Sequence, residues 1–148
     1  MKVSIRNVHR KEDEQVILEC IDLTKDFQDI YNYVQSKGES LVGYQNGHEM
    51  FSIPIQNIYY IEAVGALVFA YSKEEVYELK SRLYEMEIIL EKKRFVRVSK
   101  SILLNMNKLL FLKPVVNGKF SAKLENEEDI IISRQYAPGI KQFILEEM

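Results

Sequence analysis

The sequence predicts a mainly β fold of the α+β class: small antiparallel sheets with two short helices, preceded by a small strand-strand-helix extension. Three observations carry this expectation. Apolar–polar alternation dominates from Leu41 onward, the period-two signature of half-buried strands. Tight-turn pairs, Asn46-Gly47, Val64-Gly65 and Asn117-Gly118, interrupt the alternation at hairpin intervals; Asn-Gly is favoured there because both central residues of the turn need positive φ. Helical spacing of three and four returns only in short stretches.

The elements follow in order. Residues 1–40 form the extension. Val3/Ile5 and Val16/Ile17/Leu18 alternate around a charged turn at Arg10–Glu14, which predicts two short strands within residues 1–21. Leu23, Phe27, Ile30, Tyr31 and Val34 then place one apolar stripe on a helix, capped by Thr24 or Asp22 and ended by Gly38 after Lys37. Residues 41–148 form the second domain. "LVGYQ" and "HEMFSI" flank Asn46-Gly47 as a hairpin, which Pro54 ends. "NIYYIEA" and "ALVFAYS" form the next strand pair. Ser72-Lys73-Glu74-Glu75 has the form of a capping box, but Val76–Lys80 alternates and is β-rich, so a turn and a strand are expected there. The helix then starts at Ser81, with Leu83, Met86 and Leu90 buried. "FVRVSKSILLN" follows at residues 95–105, its alternation broken at Ser99-Lys100-Ser101. "KLLFLKPV", the Asn117-Gly118 turn and "KFSAKL" make another hairpin. A polar turn at Glu125–Asp129 leads to "IIIS", and Tyr136, Ile140, Phe143 and Ile144 mark the last helix, with Ser133 as its N-cap and Pro138 tolerated in the first turn.

Composition bounds the function. The 148 residues suffice for one domain with a core, or one domain and a small extension. With 47% apolar and 28% charged residues, global disorder is excluded. No run approaches the about 18 apolar residues of a membrane span, and Met1–Arg6 lacks the apolar region of a signal peptide, so a cytoplasmic protein is expected. Cys20, the one cysteine, reads as a small buried residue in a reducing compartment. Net charge is −2, yet nine basic residues and no acid lie between Lys92 and Leu124. Such segregation builds a local positive face or merely decorates strands with solvated lysines, and charge alone leaves both open.

Enzyme chemistry finds no support. His9 and His48 lie beside turns without ligand-spaced cysteines or carboxylates. Nucleophile elbows, phosphate loops and dinucleotide fingerprints are absent. Acidic pairs such as Glu74/Glu75 read as solvated turns. No cofactor, metal or small-molecule substrate is expected. Most of the nine tyrosines occupy strand or helix-stripe positions suited to packing rather than base stacking.

The ordered set "IQNIYYIEA", "VFAYS", "VYELKSRLYEMEIIL", "FVRVSKSILLN", "LKPVVNGKFSAKLEN" and "IIISRQY" resembles the LytTR DNA-binding domain of bacterial transcription regulators, over about two thirds of the chain. The resemblance implies a compact arrangement of small sheets rather than a helix-turn-helix, reading major grooves of double-stranded DNA through loops between strands. It implies three DNA-facing loops: Val64-Gly65-Ala66, the turn at Ser99-Lys100-Ser101, and Ser133-Arg134. Lys100 and Arg134 match positions that reach base edges. Arg97, Ser99, Ser101, Lys113, Lys119, Lys123 and Ser133 would contact the DNA backbone. The first loop is shorter than in many members and lacks their basic or imidazole side chain. Asn105 reads as structural, bonding backbone. The family often carries an N-terminal receiver domain, for which residues 1–40 are too short, so a stand-alone, response-regulator-like member is implied. Its sites are usually paired repeats, which implies a homodimer on DNA. Stand-alone members are often encoded beside small membrane proteins, which makes sequestration by one a further implied partner. Two competing readings stay open: a protein-interaction module that pairs with a related regulator or a membrane partner, and an RNA binder.

Overall fold

The computed structural model of the chain describes residues 1–36 and 39–146. The chain divides into two units, Met1–Lys37 and Gly38–Met148. In the first, α1 (Lys25–Ser36) follows a 3-10 turn at Lys11–Asp13. Thr24 caps the helix: its Oγ1 accepts the Phe27 N–H at 3.4 Å. The helix end expected at Lys37-Gly38 lies outside the described residues. The two strands expected in residues 1–21 are not formed. Val3, Ile5, Val16 and Ile17 are exposed, and the charged turn closes locally, with Arg10 bonded to Asp13 at 2.9 Å and Lys11 to Glu14 at 2.7 Å. Alternation supplies an apolar face but no ladder partner, and an unpaired strand has nothing to hold its backbone. Cys20 is exposed, not buried, because it belongs to this same unpaired stretch.

The second unit contains β1 (Ser40–Gln45), β2 (Glu49–Pro54), β3 (Tyr60–Val64), β4 (Leu67–Tyr71), β5 (Val76–Leu79), α2 (Leu83–Ile89), β6 (Phe95–Arg97), β7 (Ile102–Asn105), β8 (Leu109–Pro114), β9 (Phe120–Leu124), β10 (Asp129–Ile132) and α3 (Ala137–Glu146). Seven strands pair antiparallel in the order β2-β1-β5-β4-β3-β7-β6, and three in the order β10-β9-β8. The mainly β fold with two short helices in this unit is as expected, although one sheet is wider than small. Asn46 and Gly47 turn β1 into β2 with φ of 53° and 81°. Ser72 forms a turn, not a helix cap, exchanging backbone and hydroxyl bonds with Glu75. The helix after β5 starts two residues later than Ser81, because Arg82 is still extended and its N–H donates to the Glu85 carboxylate at 3.0 Å.

The period of two builds two cores on opposite faces of one sheet. Ile61 and Leu103 pair across β3 and β7 and face α2, where Leu83, Met86 and Leu90 are buried with Phe95. Their neighbours Tyr60 and Leu104 face the other way, toward Ala122, Leu124, Ile130 and Ile132 of the smaller sheet and Ile140 of α3. Each fully buried Leu or Ile contributes about 1.5–3 kcal/mol relative to exposure. The tyrosines divide: Tyr59 and Tyr60 are buried, Tyr44, Tyr71, Tyr77 and Tyr136 half-buried, and Tyr31, Tyr33 and Tyr84 exposed. Burial holds the phenols of Tyr59, Tyr60 and Tyr71 above their usual pKa, reinforced by nearby carboxylates.

Candidate nucleic-acid interface

Phe95 and Val98 explain how the broken alternation is held. Phe95 enters the α2-side core and Val98 the opposite core, so the strand crosses between layers as it ends. The Val98 N–H donates to Ile102 O at 3.0 Å, closing a turn over residues 99–101. Ser99 Oγ accepts the Ser101 N–H at 3.2 Å and lies 3.5 Å from Ser101 Oγ. Arg97 supports the turn from below: Nε donates to Ser99 O at 2.9 Å, Nη2 to Lys100 O at 2.6 Å, and Nη1 to Glu87 Oε1 of α2 at 2.8 Å. Its guanidinium is therefore engaged by protein on three sides. Lys100, by contrast, is exposed, and its ammonium has no acidic partner among the described residues.

Backbone bonding joins this turn to the junction between β10 and α3. The Ser133 N–H donates to Val98 O at 3.0 Å, and Ser133 Oγ lies 3.5 Å from the same carbonyl. Ser133 O accepts the N–H groups of Tyr136 and Ala137, so α3 starts from its main chain, not from a side-chain cap. Arg134 and Gln135 are thereby exposed next to Lys100.

The third contributor is the β8–β9 turn. Asn117 and Gly118 hold φ of 63° and 73°. A Cβ on Gly118 would stand 3.1 Å from both Cγ and Cδ of Arg134, closer than ordinary packing allows, so the arginine stem lies across this turn. Together Lys100, Asn117, Lys119, Ser133, Arg134 and Gln135 line an open concavity of about 710 Å³. Three of the six are cations and none is acidic.

The remaining expected positions fall elsewhere. Lys123 points its Nζ at Glu127 O (3.0 Å) and Asp129 (3.5 Å), and Lys113 is exposed outside the concavity. Gly65 and Ala66 form the two-residue β3–β4 turn, with Gly65 at φ 61° and Val64 exposed. The Ala63 N–H donates to Ser101 O at 2.8 Å, which sets that turn beside the Ser101 end of the β6–β7 turn but outside the concavity. The nine-cation span resolves accordingly: Lys93 pairs with Glu39, Arg97 with Glu87, Lys108 approaches Glu125 at 4.0 Å and Lys123 pairs with Asp129. Asn117 and Gln135 escape sequence reasoning. The turn alone accounts for an asparagine at 117, and only folding brings it beside Arg134. Asn105 is structural as expected: it is buried, its Nδ2 donates to Ile58 O at 2.8 Å, and its Oδ1 accepts the Asn107 N–H at 3.0 Å.

A β scaffold that gathers cations from three turns into an acid-free concavity defines a nucleic-acid-binding type of surface. The chain belongs to the LytTR family: the family model for the LytTr DNA-binding domain matches residues 48–145. It is 31% identical over 141 residues to an uncharacterized HTH-type transcriptional regulator of Staphylococcus aureus (strain MSSA476), covering 91% of this chain and 92% of the relative. It is 27% identical over 92 residues to the transcriptional regulatory protein YpdB of Escherichia coli (strain K12), covering 62% of this chain and 38% of that protein. A LytTr DNA-binding domain from Bacillus cereus superposes with a TM-score of 0.66 at 24% identity, over 72% of this chain and 98% of that domain. In this chain the described α-helices are separated by strands, with β1–β5 between α1 and α2 and β6–β10 between α2 and α3.

Proposed function

We propose that this protein regulates transcription by binding double-stranded DNA sequence-specifically, with the 99–101 turn, the β8–β9 turn and the Ser133-Arg134 junction entering a major groove. The observation that carries the reading is the convergence of Lys100, Lys119 and Arg134 on one open, acid-free concavity. Arg134 can donate two parallel hydrogen bonds to guanine O6 and N7, and Lys100 can reach the same acceptors as a point charge. Lys119 and Lys113 supply attraction for phosphates, and Ser133 and the Ser99/Ser101 hydroxyls fix register. Val64-Gly65-Ala66 offers backbone and a small apolar surface to a flanking phosphate or thymine methyl. Arg97 and Lys123, with their charges engaged by protein, act by holding the turns rather than by facing DNA. The chain performs no covalent chemistry in this reading. Cytoplasmic location, homodimerisation on paired repeats and control by a small membrane protein are its finer parts, and they rest on the family resemblance.

One observation favours the protein-pairing reading: an apolar groove of about 470 Å³ lined by Leu109, Leu110, Phe111, Leu112, Lys141, Ile144 and Leu145. A salt titration separates the two. With about four phosphates neutralised, DNA affinity should fall roughly 150-fold between about 50 and 200 mM salt. Absence of any duplex retardation at low salt would sink the DNA reading. Competition by duplex RNA equal to that by duplex DNA would replace it with RNA binding. Two copies on each two-repeat duplex, weighed in solution, is the result expected for the homodimer.

A further inference from the structure

The β8–β9 turn offers the concavity something its cations lack. Ammonium and guanidinium groups only donate hydrogen bonds, so Lys100, Lys119 and Arg134 suit phosphate oxygens and the acceptors of guanine. Adenine presents an acceptor, N7, beside a donor, N6, and a carboxamide matches that pair with its own donor and acceptor. Two carboxamides line the concavity, Asn117 and Gln135. Other carboxamides of this unit are taken up by protein: Asn105 on backbone, Asn126 on Glu128, and Gln45 on Glu75 and Val76. The Asn117 amide makes no such bond among the described residues. Its backbone is fixed by the turn, with Val115 N–H donating to Lys119 O at 3.0 Å, and its short side chain has little freedom to lose. Gly118 ties this turn to Arg134, whose stem passes 3.1 Å from where a Cβ would stand. Asn117 and Arg134 therefore line one stretch of the concavity side by side.

We propose that Asn117 is a specificity-determining residue: its carboxamide reads adenine next to the base read by Arg134. This rests on the DNA-binding reading above and adds a recognition element to it. Glycine tolerates the positive φ of position 117, so Asn117→Gly removes the amide while keeping the turn. Asn117→Asp keeps the shape but exchanges the donor for an acceptor, which matches the cytosine N4 amine instead.

The experiment selects bound fragments from random duplex DNA with the full chain, for wild type, Arg134→Ala, Asn117→Gly and Asn117→Asp. Thermal melts of each variant confirm folding. Wild type should show an adenine preference that Asn117→Gly loses, adjacent to the position relaxed in Arg134→Ala, with affinity for the selected site down on the order of tenfold. Asn117→Asp should lose adenine and shift toward cytosine. Base preferences unchanged in both Asn117 variants would overturn the proposal and leave the DNA reading standing, as would equal loss on all sequences. Wild type that selects no duplex would overturn the DNA reading itself, and this inference with it.

Discussion

Asn105 and Arg134 follow from the same rule: a polar side chain acts through whatever partners its surroundings leave it. Asn105 is buried with both ends of its amide bonded to main chain. Asn105→Ala would leave Ile58 O and the Asn107 N–H without it, and should cost about 2–3 kcal/mol in urea unfolding. Arg134 is exposed and has no bonded partner among the described residues, so its guanidinium is available to a ligand. Arg134→Ala should cost roughly 1–3 kcal/mol of DNA binding and relax preference at one base. Lys119→Ala should weaken all duplexes alike and lower the salt slope by about one. Equal and small effects from both substitutions in titrations on matched and scrambled duplexes would contradict these roles.

The β6–β7 turn is the element that sequence reading placed best and interpreted least fully. Its position, its hydroxyls and Lys100 were legible because alternation breaks there. The role of Arg97 was not, because Glu87 lies ten residues away on a helix and meets Arg97 only after α2 packs on the sheet. The same limit applies to Lys123 and Asp129, and to the Asn117-Gly118 turn beside Arg134. Local patterns reported turns and strands correctly where a hairpin closed them. They failed for residues 1–21, where alternation was real but no second strand answered it. Arg97 now has a testable place. Arg97→Ala removes two bonds to the 99–101 turn and a third that anchors it to Glu87 of α2, so DNA affinity should fall on the order of tenfold while the salt slope changes by well under one phosphate equivalent. A drop of a full unit, as for Lys119→Ala, would mean that the guanidinium faces a phosphate after all.

The two sheets of the second unit meet through a polar contact as well as a core. Tyr60 of β3 donates its hydroxyl to Glu128 Oε2, just before β10, at 2.9 Å, and its ring stacks on Tyr71 at 4.5 Å. Tyr71 in turn bonds Glu62 at 3.3 Å. Burial first, then the bond to Glu128 and the surrounding carboxylates, hold the Tyr60 phenol well above its ordinary value of 10.0, and burial with Glu62 does the same for Tyr71. The sign of the linkage follows. Below pH about 10 both folded and unfolded chains keep these protons, and the contribution to stability is fully present. Above it the unfolded chain releases them while the folded chain retains them, so the unfolded state binds fewer protons and stability falls as pH rises toward the folded values. Unfolding midpoints in urea measured from about pH 9 to 11.5 should therefore decline steeply. Tyr60→Phe should lower stability by about 1 kcal/mol at neutral pH, from the lost bond, and make the alkaline decline shallower. A decline equally steep without the Tyr60 hydroxyl would remove this contact from the set that joins the two sheets.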